Sequence, residues 1–169
     1  MNFHQSLATP LYISVLSTLL LCVTSLTAAQ AFSAGSLPIV FRIGDHQEAY
    51  EAMIDAQEQT LLEACDKDVK LAYSKLFSSF REMEAVASRT QFDIKGVKLW
   101  LHFFWNADGS IAHLGYHLRP NSRNVNRANL EAFLLRFVRY YRFPLLSDSP
   151  YSLYTSVAFP LYAIKRRSD

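Results

Sequence analysis

Cysteine is nearly missing from this chain: of 169 residues only Cys22 and Cys65 are cysteines. Cys22 lies within an apolar N-terminal run, so Cys65 stands alone once that run is removed. A lone thiol excludes an internal disulfide, even in an oxidising compartment, and a cysteine-based zinc site. Cys65 reads as a half-buried thiol at a helix end, with an intermolecular disulfide as the sharper alternative. Glycine is scarce too, at five residues. None of the five builds a phosphate-binding loop or a Gly-x-Ser-x-Gly elbow, and His-Glu-x-x-His and Cys-x-x-Cys are missing. The six prolines are scattered, so no stiff proline-rich linker exists. With no motif for catalysis, metal or cofactor, the expectation is a binding protein: no catalytic residue, no metal ligand set and no cofactor.

Lysine and arginine are also missing from residues 1–10. Residues 11–26 are nearly all apolar, and Ala29-Gln30-Ala31 follows. Hydrophobic run plus small-x-small is the pattern of a secretory signal cleaved after Ala31. An uncleaved inner-membrane anchor is the alternative, since residues 12–31 are about long enough to cross a bilayer. The expected organisation is a signal peptide or anchor over 1–31, a helical segment over 32–95, and an α+β domain over 96–169. The expected location is the periplasm or beyond, with membrane contact only through an uncleaved N-terminus.

Net charge is only +2, but it is unevenly placed. Residues 32–90 hold 6 Lys/Arg against 10 Asp/Glu, and residues 91–169 hold 11 against 5. Two solvated faces are the plain reading. A basic half that attracts an acidic partner is the functional one.

Along the exported part, residues 37–43 (LPIVFRI) read as a short strand or extended lead-in ended by Gly44. Asp45 and Glu48 have capping-box spacing, and Tyr50, Met53, Ile54, Gln57, Leu61 and Ala64 continue at the helical period. Asp66 reads as a second cap. Ala72, Tyr73, Leu76, Phe77, Phe80, Met83 and Ala87 then make the stripe of a long amphipathic helix. Residues 97–118 (VKLWLHFFWNADGSIAHLGYHL) read as a hairpin turning at Asn106-Ala107-Asp108-Gly109, with Trp105 opposite Ile111. Asn126 caps a helix with Leu130, Phe133, Leu134, Phe137 and Tyr141 inward. Pro144 stops it, and residues 151–159 are a last strand ended by Pro160. The expected fold is α+β: a small three-stranded antiparallel sheet, β-β-α-β, packed on helices and preceded by two helices. The third strand pairs beside the first, and the helical crossover passes over the first strand right-handedly.

The stretch from Gly96 to Phe159 resembles the TonB C-terminal domain family. The likeness rests on Gly96, on Leu101-x-Phe103-x-Trp105 before Asn-Ala-Asp-Gly, and on Ile111, Leu114 and Tyr116. It continues through the helix capped near Asn126, Tyr140-Tyr141-Arg142-Phe143-Pro144 and Ala158-Phe159-Pro160. The resemblance implies a periplasmic domain that binds an extended segment of an outer-membrane receptor by strand addition. The chain departs from that family in having two helices, not a proline-rich linker, ahead of the domain.

The step from Ile111 to Leu114 and Tyr116 implies a bulge near Ala112-His113, which moves the core side from odd to even residues. Leu99, Leu101, Phe103, Trp105, Ile111, Leu114, Tyr116 and Leu118 then face the helices. Trp100, His102, Phe104, Gly115 and His117 face away, with Trp100 opposite His117. So aromatic an outer face needs a cover, supplied by the N-terminal helices or residues 37–43, or else by a partner. The candidate partner-binding residues are Trp100, His102, Phe104 and His117 on that face, Tyr154, Thr155 and Ser156 on the last strand, and Arg139 and Arg142 near its approach. The expected partner is a protein or peptide, an outer-membrane receptor or a second copy in a homodimer, and not nucleic acid. The alternative function is a small periplasmic ligand carrier or enzyme with a pocket between helices and sheet.

Overall fold

The computed structural model describes residues 37–161. The reading of residues 1–31 as a leader lies outside them. Four strands, β1 (Val40–Arg42), β2 (Lys98–Trp105), β3 (Ile111–Leu118) and β4 (Tyr151–Ala158), form one sheet in the order β1-β3-β2-β4. Among the described residues four helices accompany them: α1 (Gln47–Asp55), α2 (Leu61–Ala64), α3 (Val69–Arg89) and α4 (Arg127–Tyr140).

The sheet corrects the expected architecture. It has four strands, not three, and it is mixed, because β1 runs parallel to β3. The cause is a contact between residues distant in sequence and adjacent in space. Phe41 lies against Gly115, whose missing side chain leaves room for the ring: a Cβ there would sit 2.9 Å from Phe41 Cζ. Leu114 N–H donates to Ile39 O and Ile43 N–H to Tyr116 O, closing the parallel ladder. The other neighbours are antiparallel, β2 with β3 and β2 with β4.

The hairpin register is the one its apolar pattern requires. Trp100 pairs with His117, Phe104 with His113 and Trp105 with Ile111, so Ala112 is the bulged residue. Gly109 makes the turn at φ 78°, and any Cβ there would collide with Phe143 O. Leu99, Leu101, Phe103, Trp105, Ile111, Leu114 and Tyr116 are buried under α3 and α4 in one core with Phe80, Met83, Leu130, Leu134 and Phe137. Cys65 is in that core at 1 % exposure, too deep for a disulfide to another molecule, and burial raises its thiol pKa.

The region before the hairpin is split where one helix was expected. Apolar spacing runs on from Tyr50 to Ala64, yet the chain leaves the helix after Asp55. Thr60 restarts it with a capping box: its hydroxyl accepts from Glu63 N–H while the Glu63 carboxylate accepts from Thr60 N–H. Asp45 is not the cap of α1, whose N-cap position is His46. The Asp45 carboxylate instead takes Arg42 at 2.5 Å and Arg127 at 2.6 Å, and these guanidinium hydrogen bonds hold its pKa below the usual range. Asp66 is a positive-φ turn residue, and Asp68 caps α3 by accepting from Lys70 and Leu71 N–H.

Candidate functional site

The sheet has helices on both faces, and the two are not covered alike. On the inner face α3 and α4 bury the main core. On the outer face, among the described residues, α1 alone is present, and its cover is partial. Tyr50 on α1 packs with Phe41 and Phe104, with Leu37 buried beside them, in a second small cluster. The Tyr50 hydroxyl also hydrogen-bonds His102 Nδ1 at 2.8 Å. His102 is 7 % exposed, and burial pushes its pKa down to about 4, because a charged imidazolium would lose hydration there. Its ring meets Phe104, Tyr50 and Tyr154, and none of these carries a charge.

Beyond α1 the outer face opens. Trp100 is half-buried and stacks on exposed His117 at 5.8 Å, and Arg119 lies over the indole at 6.0 Å. Tyr154, 53 % exposed, stands across from His102, and exposed Ser156 stands across from Trp100. These side chains form one strip from β3 to β4. Thus the expected face divides: His102 and Phe104 are covered from within the chain, while Trp100, His117, Tyr154 and Ser156 remain open.

The backbone of β4 is the second element of the site. β4 has β2 on one side and, among the described residues, no full strand on the other. Phe159 N–H points toward β2 and donates to Val97 O. Ser152 N–H points the opposite way and donates to Gln59 O. Alternation along a strand then turns the N–H and C=O of Tyr154, Ser156 and Ala158 away from β2. The chain wraps this edge at one end only, where Thr60 bridges Ser152 in parallel. Pro160 closes the other end.

The remaining expected site residues are elsewhere. Thr155, paired with Leu101, lies on the helix-covered side of β4, apart from its neighbours Tyr154 and Ser156. Arg139 is not near β4: it lines a groove with Pro38, Val40, Arg42 and Arg127 at the β1 edge. Helix phase places it there, since α4 packs over β1 and β3. Arg142 is at the hairpin turn, where its guanidinium holds Asp108 at 2.9 Å. Arg139 thus stands at the sheet edge opposite β4, while Arg142 is already paired at the hairpin turn. Arg119, lying over Trp100, was not among the expected site residues; its position one residue past β3, in line with the outer face, is the signal that marks it.

Two open grooves also lie among the described residues. One, of about 450 Å³, lies between the end of α3 and the start of α4, over the stacked Phe92 and Phe133, with Arg123 holding Asp93 at its rim. The other is the β1 groove, of about 430 Å³, where Arg127 bridges Asp45 and Glu131. Among the described residues no group of three or more His, Cys, Asp or Glu side chains could hold a metal ion. No described helix is long and apolar enough to cross a membrane. No family model, curated protein or solved structure matches this chain.

Proposed function

We propose that this is an exported cell-envelope domain that binds an extended protein segment by strand addition at β4. The observation that supports it most is the open run of outward backbone at Tyr154, Ser156 and Ala158, stopped by Gln59–Thr60 at one end and Pro160 at the other. Unpaired N–H and C=O groups on a strand edge are a template for another strand, which gains main-chain hydrogen bonds there. The strand is poorly defended against pairing, since 151–159 carries no charged residue. Side chains of an added segment on the outer side would lie beside Tyr154 and Ser156, with Trp100 one strand further in, and this supplies selectivity. The likeness to TonB C-terminal domains is consistent with an outer-membrane protein as the source of that segment.

The test is a photo-cross-linking residue in place of Tyr154, introduced into the full chain in cells, with adducts sought in the envelope fraction. Discrete adducts are expected, and Ser156→Pro should abolish them while leaving the helical circular dichroism signal intact, because Ser156 N–H faces outward. Slow amide exchange at Tyr154, Ser156 and Ala158 in the free monomer would overturn the proposal, since the edge would then already be occupied.

A further inference from the structure

We infer that the segment accepted at β4 is apolar on its helix-facing side, that the Tyr73–Phe77 flank of α3 is the shelf holding those side chains, and that Arg81 draws an acidic residue beside them. This rests on the reading of β4 as an open pairing edge and adds the chemistry of its occupant. Three features of the chain converge on the shelf.

The first is a gap in the cover of β4. Tyr151, Leu153, Thr155, Val157 and Phe159 alternate onto the helix side of the sheet. Tyr151, Val157 and Phe159 are buried there, whereas Leu153 and Thr155 between them are only half-buried. These two flank Tyr154, whose backbone groups point outward, so the gap coincides with open edge. A strand laid along that edge alternates in phase with β4. Its helix-side side chains therefore come down beside Leu153 and Thr155.

The second is an aromatic overhang above that gap. Lys75 reaches Pro144 O and Ser79 reaches the Tyr141 hydroxyl, so those residues mark the side of α3 that faces α4. Tyr73, Phe77 and Glu84 lie on the opposite flank by helical phase. Glu84 accepts from Leu161 N–H just past β4, so that flank overlooks the β4 edge. Tyr73 is 61 % exposed and stacks on half-buried Phe77 at 6.1 Å. The start of α3 lies near the Ser152 end of β4, where α2 contacts that strand, and Glu84 lies near the Leu161 end. Interpolating at roughly 3.3 Å per strand residue and 1.5 Å per helix residue puts Thr155 abreast of the turn between Tyr73 and Phe77. Apolar side chains beside Leu153 and Thr155 would thus be roofed by the two rings.

The third is charge. Exposed Arg81 lies over the Phe77 ring at 5.6 Å, toward the Pro160 end of the shelf. Among the described residues it has no ion-pair partner, because Glu82 holds Arg89 and Glu84 takes Leu161 N–H. An acid at that end of the segment meets an uncompensated cation, and a base there is repelled. The strand 151–159 carries no acid, and residues 165–167 read Lys-Arg-Arg, so neither a second β4 nor the chain's own C-terminal residues fit this requirement. The occupant is a different protein with an alternating apolar segment bounded by acid.

The test titrates the purified full chain, in mild detergent if it stays membrane-bound, with three capped fluorescent peptides. The first is Glu-Thr-Leu-Thr-Leu-Thr-Glu, whose leucines share one side. The second has serine for both leucines, and the third has lysine for both glutamates. The first should bind best, and the serine peptide about tenfold or more weaker, since the leucines lose their apolar cover. Tyr73→Ser, and more fully Tyr73→Ser/Phe77→Ser, should bring the first peptide down toward the serine peptide while keeping the circular dichroism of the wild type. Arg81→Glu should reverse the order of the first and third peptides, and Ser156→Pro should abolish binding of all three. Equal binding of the first and second peptides, both lost in Ser156→Pro, overturns the shelf and leaves the edge reading standing. A leucine preference that survives in the aromatic variants, or an order unchanged by Arg81→Glu, also overturns the inference. So does failure of every peptide while a cross-linker at position 154 still captures an envelope partner. Failure of every peptide with no adduct at position 154 brings down both readings.

Discussion

At the scale of single residues, two side chains on neighbouring strand positions have opposite surroundings, and each yields a measurement. Phe103 is fully buried between the inner face and the helices, stacked on Trp105 at 4.9 Å. Phe103→Ala should cost about 3–5 kcal/mol in denaturant unfolding, because the cavity left among rigid neighbours cannot close; a loss below about 1 kcal/mol would place the ring outside the core. His102 points the other way, under Tyr50. Its folded pKa is depressed to about 4 from an ordinary 6.5, so the folded state disfavours the proton. The stability this neutral ring contributes is fully present above pH 6.5 and is lost as pH falls toward 4. By about pH 5 the loss is about 2 kcal/mol. His102→Gln should lack that acid sensitivity, so the gap between wild type and variant should change by that amount between about pH 7.5 and about pH 5. Equal pH slopes in the two proteins would mean that water reaches the ring. The alternation of Leu99 through Trp105 made both orientations legible, since a strand's period of two leaves no third choice.

Elements were legible where the signal was local. The hairpin register followed from the apolar pattern and its one-residue phase slip, and the structure has the bulge at Ala112. The place of β4 beside β2 followed from the need to keep neighbours antiparallel across a helical crossover. What sequence could not show was the partner of residues 37–43. A three-residue strand carries almost no periodicity, and its parallel match to β3 depends on Gly115, more than seventy positions away. The break between α1 and α2 was hidden for a related reason: apolar spacing continued across it, and only Thr60-x-x-Glu63 marked the restart. The split of the outer face depended on that break, because it lets α1 lie over Phe104 and His102 while the chain turns past Ser152. Gly115→Val tests this element directly. Its side chain would meet Phe41 at 2.9 Å and Ile43 at 3.2 Å. The strand should peel, with a cost of about 1–3 kcal/mol as expected of overpacking. Exchange of the Leu114 and Ile43 amides should speed up while Phe159 N–H stays slow. Unchanged exchange at Leu114 would mean that Phe41 does not hold β1 in place.

For the whole molecule the question is which compartment it meets, and the charge map bears on it less than the N-terminus does. The acidic first part and basic second part are joined by pairs such as Asp45 with Arg127, so the imbalance is partly met within the molecule. The N-terminal reading is separate: an apolar run over 11–26, then Ala29-Gln30-Ala31. The fold is compatible with cleavage after Ala31. Leu37 is the first buried side chain among the described residues and β1 begins at Val40, so a new terminus at Phe32 would cut no described element. The lone buried Cys65 also suits an oxidising compartment, since it offers no accessible thiol for wrong pairing. Chain recovered from cells free of membrane should therefore begin at or near Phe32 by N-terminal sequencing, and its mass should lack the first 31 residues. Intact Met1 in the inner-membrane fraction would show instead that the apolar run is retained as an anchor. The β4 edge would then work from a tethered position, and its partners would be limited to those within reach of that membrane.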